Sequence, residues 1–198
     1  MIETLWHALV TTTPLEATAV ILGVAYVLLI LKRSRLGWVA GGVSAAIYVY
    51  LSARAHLPMQ ATLQVYYVVM AVYGWISWSS AQQGAGAGIV RWPLRFHLSA
   101  LLCIVLLSLA SARLLASETH AAWPYLDSFT TWVSLLATWM VTRMKLENWL
   151  YWIGADGIMA WLFAAQGYPA TAVLFLTYLV IAVFGFREWL CQYRQAPA

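Results

Sequence analysis

Long apolar stretches, separated by short polar breaks, occupy most of this chain. A membrane-spanning helix needs about 20 mainly apolar residues, and hydropathy predicts one such helix in each stretch. Proline at the start of two stretches suits the first turn of a helix, and the glycine-rich segment 79–88 is predicted to be a flexible loop. The predicted spans are residues 16–31, 36–53, 58–78, 96–115, 125–142, 148–165 and 169–189. The pattern therefore predicts an all-α polytopic membrane protein with seven transmembrane helices.

The composition supports one transmembrane domain over residues 1–198 and excludes several other classes of protein. The chain is 63% hydrophobic and 9% charged, with a mean hydropathy of +0.76. Soluble domains are about one quarter charged, so this chain has too few charges to cover a soluble core. A soluble enzyme, a disordered region and a DNA-binding domain are excluded. The net charge of +4 does not indicate a nucleic-acid partner, because the basic residues lie at the ends of apolar stretches rather than on one face.

Basic residues predict the orientation of the chain in the membrane. Cytoplasmic loops carry an excess of Lys and Arg. With the N-terminus outside and the C-terminus in the cytoplasm, only Arg54 and Arg113 lie at outer ends of spans. The residues that then lie at cytoplasmic ends are Lys32, Arg33, Arg35, Arg91, Arg95, Arg143, Lys145, Arg187 and Arg194.

An internal repeat relates the two halves of the chain. Residues 58–78 align with residues 169–189 at an offset of 111, with Pro, Tyr, Gly and Trp identities in register. The preceding spans correspond more loosely, with Trp38 set opposite Trp152. We therefore expect a 3+1+3 parallel repeat: residues 16–78, a linker and fourth helix at 79–122, and residues 123–189. Transporters of this kind carry a site at the repeat interface near the middle of the membrane; duplication for packing alone is the alternative.

Polar residues inside spans are costly and are commonly functional. Asp156 lies about two turns into the sixth span, where a substrate contact and a structural carboxyl are both open interpretations. Gln64 lies in the third span and has the chemistry to bind a ligand or to bridge helices. Asp127 suits helix capping, and Glu147 suits the positive end of a helix dipole.

Aromatic residues form a second group of candidates. An interfacial belt explains many of the 12 Trp residues, but Trp139, Tyr67 and Tyr178 are expected nearer the middle of the membrane. They could line a slot for a flat, cationic ring. Two Trp-x-x-Trp pairs place both rings on one helix face, where they could serve as gates or as interfacial anchors. The pairs are Trp75 with Trp78, and Trp149 with Trp152.

The chain carries no sequence motif for catalysis, metal binding or nucleotide binding. It has no HExxH pattern, no P-loop and no GxSxG motif. Cys103 and Cys191 show no spacing that indicates a disulfide or a metal site. We expect neither an enzyme nor a bound cofactor.

These residues resemble the PnuC family of bacterial vitamin transporters over residues 23–189. The matching stretches are residues 64–78, 127–131, 143–156 and 185–189. The resemblance implies a SWEET-like fold of two three-helix bundles joined by one helix. It also implies a homotrimer in the bacterial inner membrane, and facilitated diffusion of an unphosphorylated vitamin that a cytoplasmic kinase then traps. The implied substrate-binding residues are Gln64, Tyr67, Trp139, Asn148, Trp152, Asp156 and Tyr178.

The sequence favours thiamine among the substrates of this family. The nicotinamide riboside branch carries an amide three residues before the glycine of each closing motif, and this chain has Ala71 and Ala182 there. Ribose hydroxyls that lose such partners lose affinity. Nicotinamide riboside and riboflavin are the alternative substrates, and a membrane scaffold or receptor subunit is the alternative function.

Overall fold

The computed structural model describes residues 13–54, 58–83, 88–118 and 123–195. In this part of the chain there are seven helices and no strands. They are α1 (Pro14–Leu31), α2 (Leu36–Arg54), α3 (Pro58–Gln83), α4 (Leu94–Glu118), α5 (Pro124–Thr142), α6 (Asn148–Ala165) and α7 (Pro169–Gln195). The predicted spans match these helices one for one, and the all-α prediction is confirmed.

The predicted loop at 79–88 is wrong over its first half. The α3 helix continues through Gln83, and α7 likewise runs past Trp189 to Gln195. Ser, Ala and Gln are all compatible with a helix, so the end of the apolar stretch is not a signal for the end of the helix. Residues 84–87 lie outside the described residues.

Hydropathy separates the helices into two groups. Four are long and apolar enough to cross a bilayer by length and composition: α1, α2, α4 up to Leu114, and α7 from Thr171. The other three, α3, α5 and α6, include the helices that carry Gln64 and Asp156. Polar side chains in transmembrane helices cost free energy and mark functional positions, so these are the helices on which a site is expected.

The chain divides into two compact units between Gly88 and Ile89. In the first unit α1 packs on α2 and α2 on α3; in the second, α4 packs on α5, α5 on α6 and α6 on α7. Helices α1 to α3 and α5 to α7 correspond at an offset of 111 residues, to within a residue or two at their ends.

The turn after the first helix has the same backbone conformation in both repeats. Arg33 (φ 57°) and Met144 (φ 51°) are the non-glycine residues with positive φ in the described chain, and they lie 111 positions apart. The N–H of Arg33 donates to the carbonyl of Ile30, and that of Ser34 to Leu29. Equivalent bonds at residues 140–145 complete a second copy. Each turn is a Schellman motif, which satisfies the last carbonyls of a helix through one left-handed residue.

A pair of perpendicular indole rings packs α2 on α3 and, equivalently, α6 on α7. Trp38 and Trp78 stand at 5.4 Å and 89°, and Trp149 and Trp189 at 5.5 Å and 88°. All four rings are buried. Trp38 therefore corresponds to Trp149, and the predicted correspondence with Trp152 is wrong. The offset of 111 residues holds for all three helices of the repeat. Because α6 carries Trp at both 149 and 152, the sequence alone allowed Trp38 to be matched with the wrong one, three residues away.

Candidate functional site

The residues predicted in the first unit lie on α3. Gln64 and Tyr67 are partly buried, and the ring of Tyr67 stands 5.7 Å from that of Tyr66. Trp75 is 37% exposed, and the Arg35 guanidinium lies 4.2 Å from the centre of its ring. Such a cation–π contact contributes about 0.5–1 kcal/mol at exposed sites. Trp75 therefore keeps accessible surface.

The two members of each Trp-x-x-Trp pair have different environments. Trp78 is fully buried against Trp38, and Trp149 is buried against Trp189. Trp75 is exposed and Trp152 is partly buried. One ring of each pair thus holds two helices together, and the other keeps accessible surface.

Asp156 and Glu147 are the buried acidic residues of the described second unit. Asp156 lies on α6, is 6% exposed, and makes no hydrogen bond to a described residue. Its oxygens are not among the fully buried polar atoms that lack a partner in the described chain, so the carboxyl keeps a small accessible surface. A substrate group could meet the carboxyl there as a hydrogen-bond or charge partner.

Asn148 and Tyr178 have distinct surroundings. Asn148 is fully buried, and its Nδ2 donates to the carbonyl of Lys145 at 2.6 Å. Its Oδ1 is buried with no partner in the described part of the chain. Tyr178 is partly buried on α7, next to Phe175 at 6.3 Å. Asn148 thus fixes the start of α6 and leaves one acceptor unused.

Trp139 does not lie near the middle of its helix. Because α5 ends at Thr142, Trp139 is in the last turn. Its ring stands 5.1 Å from that of Trp92, and the Arg143 guanidinium lies 6.0 Å from its centre. The expected mid-membrane position is therefore wrong for Trp139. It lies at the end of the second unit that contains the turn between α5 and α6, which we call the loop end.

The segment before α4 is fixed across the turn between α5 and α6. The N–H of Val90 donates to the carbonyl of Met144 at 3.1 Å, and the N–H of Leu146 donates to the carbonyl of Val90 at 3.0 Å. The Arg91 Nε donates to the Glu147 carboxylate at 2.9 Å, and the Trp92 N–H approaches its other oxygen at 3.4 Å. Glu147 is 5% exposed and makes no capping bond. Its bonds are instead made to Arg91 and Trp92, so it anchors residues 90–92, the anchored segment, to the start of α6.

Cations and aromatic rings surround the anchored segment. The Lys145 Nζ lies 4.7 Å from the centre of the Trp92 ring, which also packs on Phe96 at 3.9 Å. Burial lowers the pKa of Lys145 from its ordinary value; the carboxylate of Glu147 opposes this shift, and Arg143 adds to it. The loop end of the second unit is thus a mainly basic cluster packed with aromatic rings.

A cavity of about 420 Å³ lies among α4, α5, α6 and the anchored segment. Its polar residues are at the loop end or close to it: Arg91, Trp92, His97, Glu147 and Tyr151. The rest of its wall has no polar side chain and is formed by Leu94, Leu101, Phe129, Val133, Leu150, Gly154 and Ala155. His97 Nδ1 shares a hydrogen bond of 3.0 Å with the Tyr151 hydroxyl, while His97 Nε2 is buried without a partner in the described chain.

None of the seven residues predicted to bind substrate lines this cavity. Trp139 approaches it through Trp92, and Asp156 directly follows the lining residue Ala155. The sequence places Glu147 at a helix end and Arg91 among the cytoplasmic basic residues, but it gives no signal that either belongs to a site with Tyr151. The Arg91–Glu147 pair spans 56 positions, so no local pattern could have found it.

Comparisons with known proteins agree over nearly the whole chain. The family described as "Nicotinamide mononucleotide transporter" matches residues 13–191. The nicotinamide riboside transporter PnuC of Escherichia coli (strain K12) is 25% identical, over 91% of this chain and 87% of its own. The riboflavin/roseoflavin transporter RibM of Streptomyces davaonensis is 24% identical, over 88% and 84%. The crystal structure of the vitamin B3 transporter PnuC has a TM-score of 0.73 at 21% identity, over 92% and 83%.

Proposed function

The chain belongs to the nicotinamide mononucleotide transporter family, and we propose that it carries an unphosphorylated B vitamin by facilitated diffusion, with thiamine as the favoured substrate. That it is a membrane vitamin transporter of the PnuC kind rather than an enzyme follows from the family match over residues 13–191 and from relatives that are transporters. This match is the observation that carries the proposal. The lack of a P-loop in the sequence argues against ATP-driven transport, and facilitated diffusion is what the sequence resemblance implies.

Ala71 and Ala182 support thiamine. They lie 111 positions apart, are both nearly fully buried, and offer no polar side-chain atom. Ala71 lines an apolar groove of the first unit, beside Trp38 and Trp75. A nucleoside that placed ribose hydroxyls against these positions would leave them unpaired, at a cost of about 1–3 kcal/mol each. Thiamine has no ribose.

Nicotinamide riboside is the second candidate, because it is the substrate named for the relative in Escherichia coli. Riboflavin has similar support from the relative in Streptomyces davaonensis. Both vitamins carry polyhydroxylated groups, which need several hydrogen-bond partners, whereas thiamine carries a single hydroxyl. The three substrates can therefore be separated by one binding experiment.

We assign substrate binding to the residues identified in the sequence: Gln64, Tyr67, Trp139, Asn148, Trp152, Asp156 and Tyr178. Asp156 has the strongest support, because its buried carboxyl makes no hydrogen bond to a described residue. A carboxylate and aromatic rings together suit a flat cation. Trp75 and Trp152 are the gate candidates that keep accessible surface, whereas Trp78 and Trp149 are needed for helix packing.

The proposal also covers orientation, assembly and metabolic coupling. The distribution of Lys and Arg supports an outer N-terminus and a cytoplasmic C-terminus. We expect one transport domain that forms a homotrimer, as the sequence resemblance implies. A cytoplasmic kinase that phosphorylates the vitamin would then make passive entry irreversible.

The test is uptake and binding by the purified protein. Thiamine, nicotinamide riboside and riboflavin are each offered to liposomes with and without the protein, and binding is followed by calorimetry and Trp fluorescence. We expect saturable thiamine entry that stops at equal concentrations on both sides. Preference for nicotinamide riboside would reject the assignment from Ala71 and Ala182. Accumulation driven by a pH gradient would reject passive transport, and entry of no vitamin would favour a scaffold.

A further inference from the structure

We propose that the cavity of the second unit binds an anionic phospholipid, with one acyl chain in its apolar part and the headgroup phosphate at its basic loop end. The inference concerns a site distinct from the residues assigned to vitamin binding. It rests on three features: the apolar wall, the cations at one end, and a polar atom on a lining residue that has no partner in the described chain.

The shape and polarity of the cavity fit an amphiphile. Its apolar wall includes Leu101 of α4, Phe129 and Val133 of α5 and Ala155 of α6. Val133 and Ala155 also belong to the buried apolar cluster of this unit. A B vitamin is polar over much of its surface and would leave its polar groups unpaired there, whereas an acyl chain would not.

The loop end has an excess of positive charge. Arg91 uses one N–H donor on Glu147, and its side chain is 55% exposed, so its other donors are free to bind phosphate. Arg95, next to the lining residue Leu94, is exposed and pairs with no described residue. Lys145 adds a further cation beside Trp92. Basic pockets between transmembrane helices bind anionic lipid headgroups in this way.

A residue that lines the cavity carries a buried polar atom without a partner in the described chain. His97 lines the cavity, and its Nε2 is buried with no hydrogen bond to a described residue. The Nδ1 atom of the same ring is joined to the Tyr151 hydroxyl, which fixes the ring. In the tautomer in which Nδ1 accepts from the Tyr151 hydroxyl, Nε2 carries the ring N–H, which would donate to a lipid ester or phosphate oxygen near the loop end.

Gly154 provides a way to fill the cavity without disturbing the fold. It lines the cavity, and a Cβ added there would meet no atom within 4 Å. Leucine is also a better helix former than glycine. Gly154→Leu should therefore fold normally and occupy the space of the acyl chain. Ala164→Leu is the matched control, because Ala164 is exposed near the other end of the same helix.

The experiment measures lipid retained by the full-length protein in native mass spectrometry. The protein is delipidated and incubated with phosphatidylglycerol or phosphatidylethanolamine of identical acyl chains, and Tm is recorded in parallel. We expect one retained phosphatidylglycerol and a raised Tm for the wild type and Ala164→Leu, and neither for Gly154→Leu. Arg95→Gln should weaken phosphatidylglycerol binding about fivefold, and Arg113→Gln, at the far end of α4, should not.

Four results would overturn the proposal. Equal retention of both lipids would show that the cations do not select the headgroup. Retention of phosphatidylglycerol by Gly154→Leu would place the lipid outside the cavity. Loss of vitamin binding in Gly154→Leu would assign the cavity to the vitamin. A changed oligomeric state in Gly154→Leu would assign it to a second copy of the chain.

Discussion

The Nε of Arg91 donates a 2.9 Å hydrogen bond to the carboxylate of Glu147, and this ion pair joins the segment before α4 to the first residues of α6. The two partners differ in exposure, because Glu147 is buried whereas Arg91 is half exposed. The consequences of removing either partner should therefore be unequal.

Arg91→Ala should destabilise the protein more than Glu147→Gln. Removal of Arg91 leaves a buried carboxylate without its counter-ion, and charged hydrogen bonds of this kind contribute about 1.5–3 kcal/mol. Since Arg91 is half exposed, we expect the lower end of that range. Glu147→Gln leaves an exposed arginine that water can solvate, so its effect should be smaller. Chemical denaturation in detergent measures both, and equal effects would contradict the asymmetry.

Gly185→Ala should destabilise the packing of α6 on α7. A Cβ at this position would lie 2.6 Å from the Trp149 ring, which is itself buried against Trp189. Such overpacking costs about 1–3 kcal/mol. Gly154→Ala is the control, because its Cβ meets nothing and alanine favours a helix by about 1 kcal/mol. A Tm lowered by the first change and not by the second would support the prediction; a tolerated Gly185→Ala would not.

Trp75→Ala and Trp78→Ala should separate gating from packing. Trp78 is fully buried against Trp38, so its truncation should cost about 3–5 kcal/mol of stability. Trp75 is exposed and loses mainly its contact with Arg35, about 0.5–1 kcal/mol. If Trp75 is a gate, Trp75→Ala should change the rate of vitamin uptake while Tm stays nearly unchanged. An unaltered uptake rate would remove Trp75 from the gate.

Asp156→Asn should lower vitamin uptake at least about tenfold, which corresponds to 1.4 kcal/mol of lost interaction. The amide has the size of the carboxyl, so folded protein should be retained at the wild-type level. Asp127→Asn is the control, because Asp127 is exposed at the start of α5. Radiolabelled uptake in liposomes measures the effect. Unchanged uptake by Asp156→Asn would leave that carboxyl a purely structural role.

The sequence predicted each helix of the described chain because apolar length and proline starts are local signals. The end of α3 was missed, since a polar segment without glycine or proline continues as a helix. The position of Trp139 was also wrong, although the predicted span 125–142 already places this residue within the last turn of its helix. The contact of its ring with Trp92 joins residues 47 positions apart and leaves no trace in hydropathy.

The sequence by itself determined the number and order of the helices, the repeat at an offset of 111 residues and the family resemblance, because these depend on composition and spacing along the chain. Only the tertiary structure showed that the same offset holds for the second helix of each repeat, through the ring pairs of Trp38 with Trp78 and Trp149 with Trp189. It also decided which tryptophans are buried and brought Arg91 to Glu147. Side-chain packing joins residues that are far apart in the chain, so the contacts that define a cavity exist only in the folded protein.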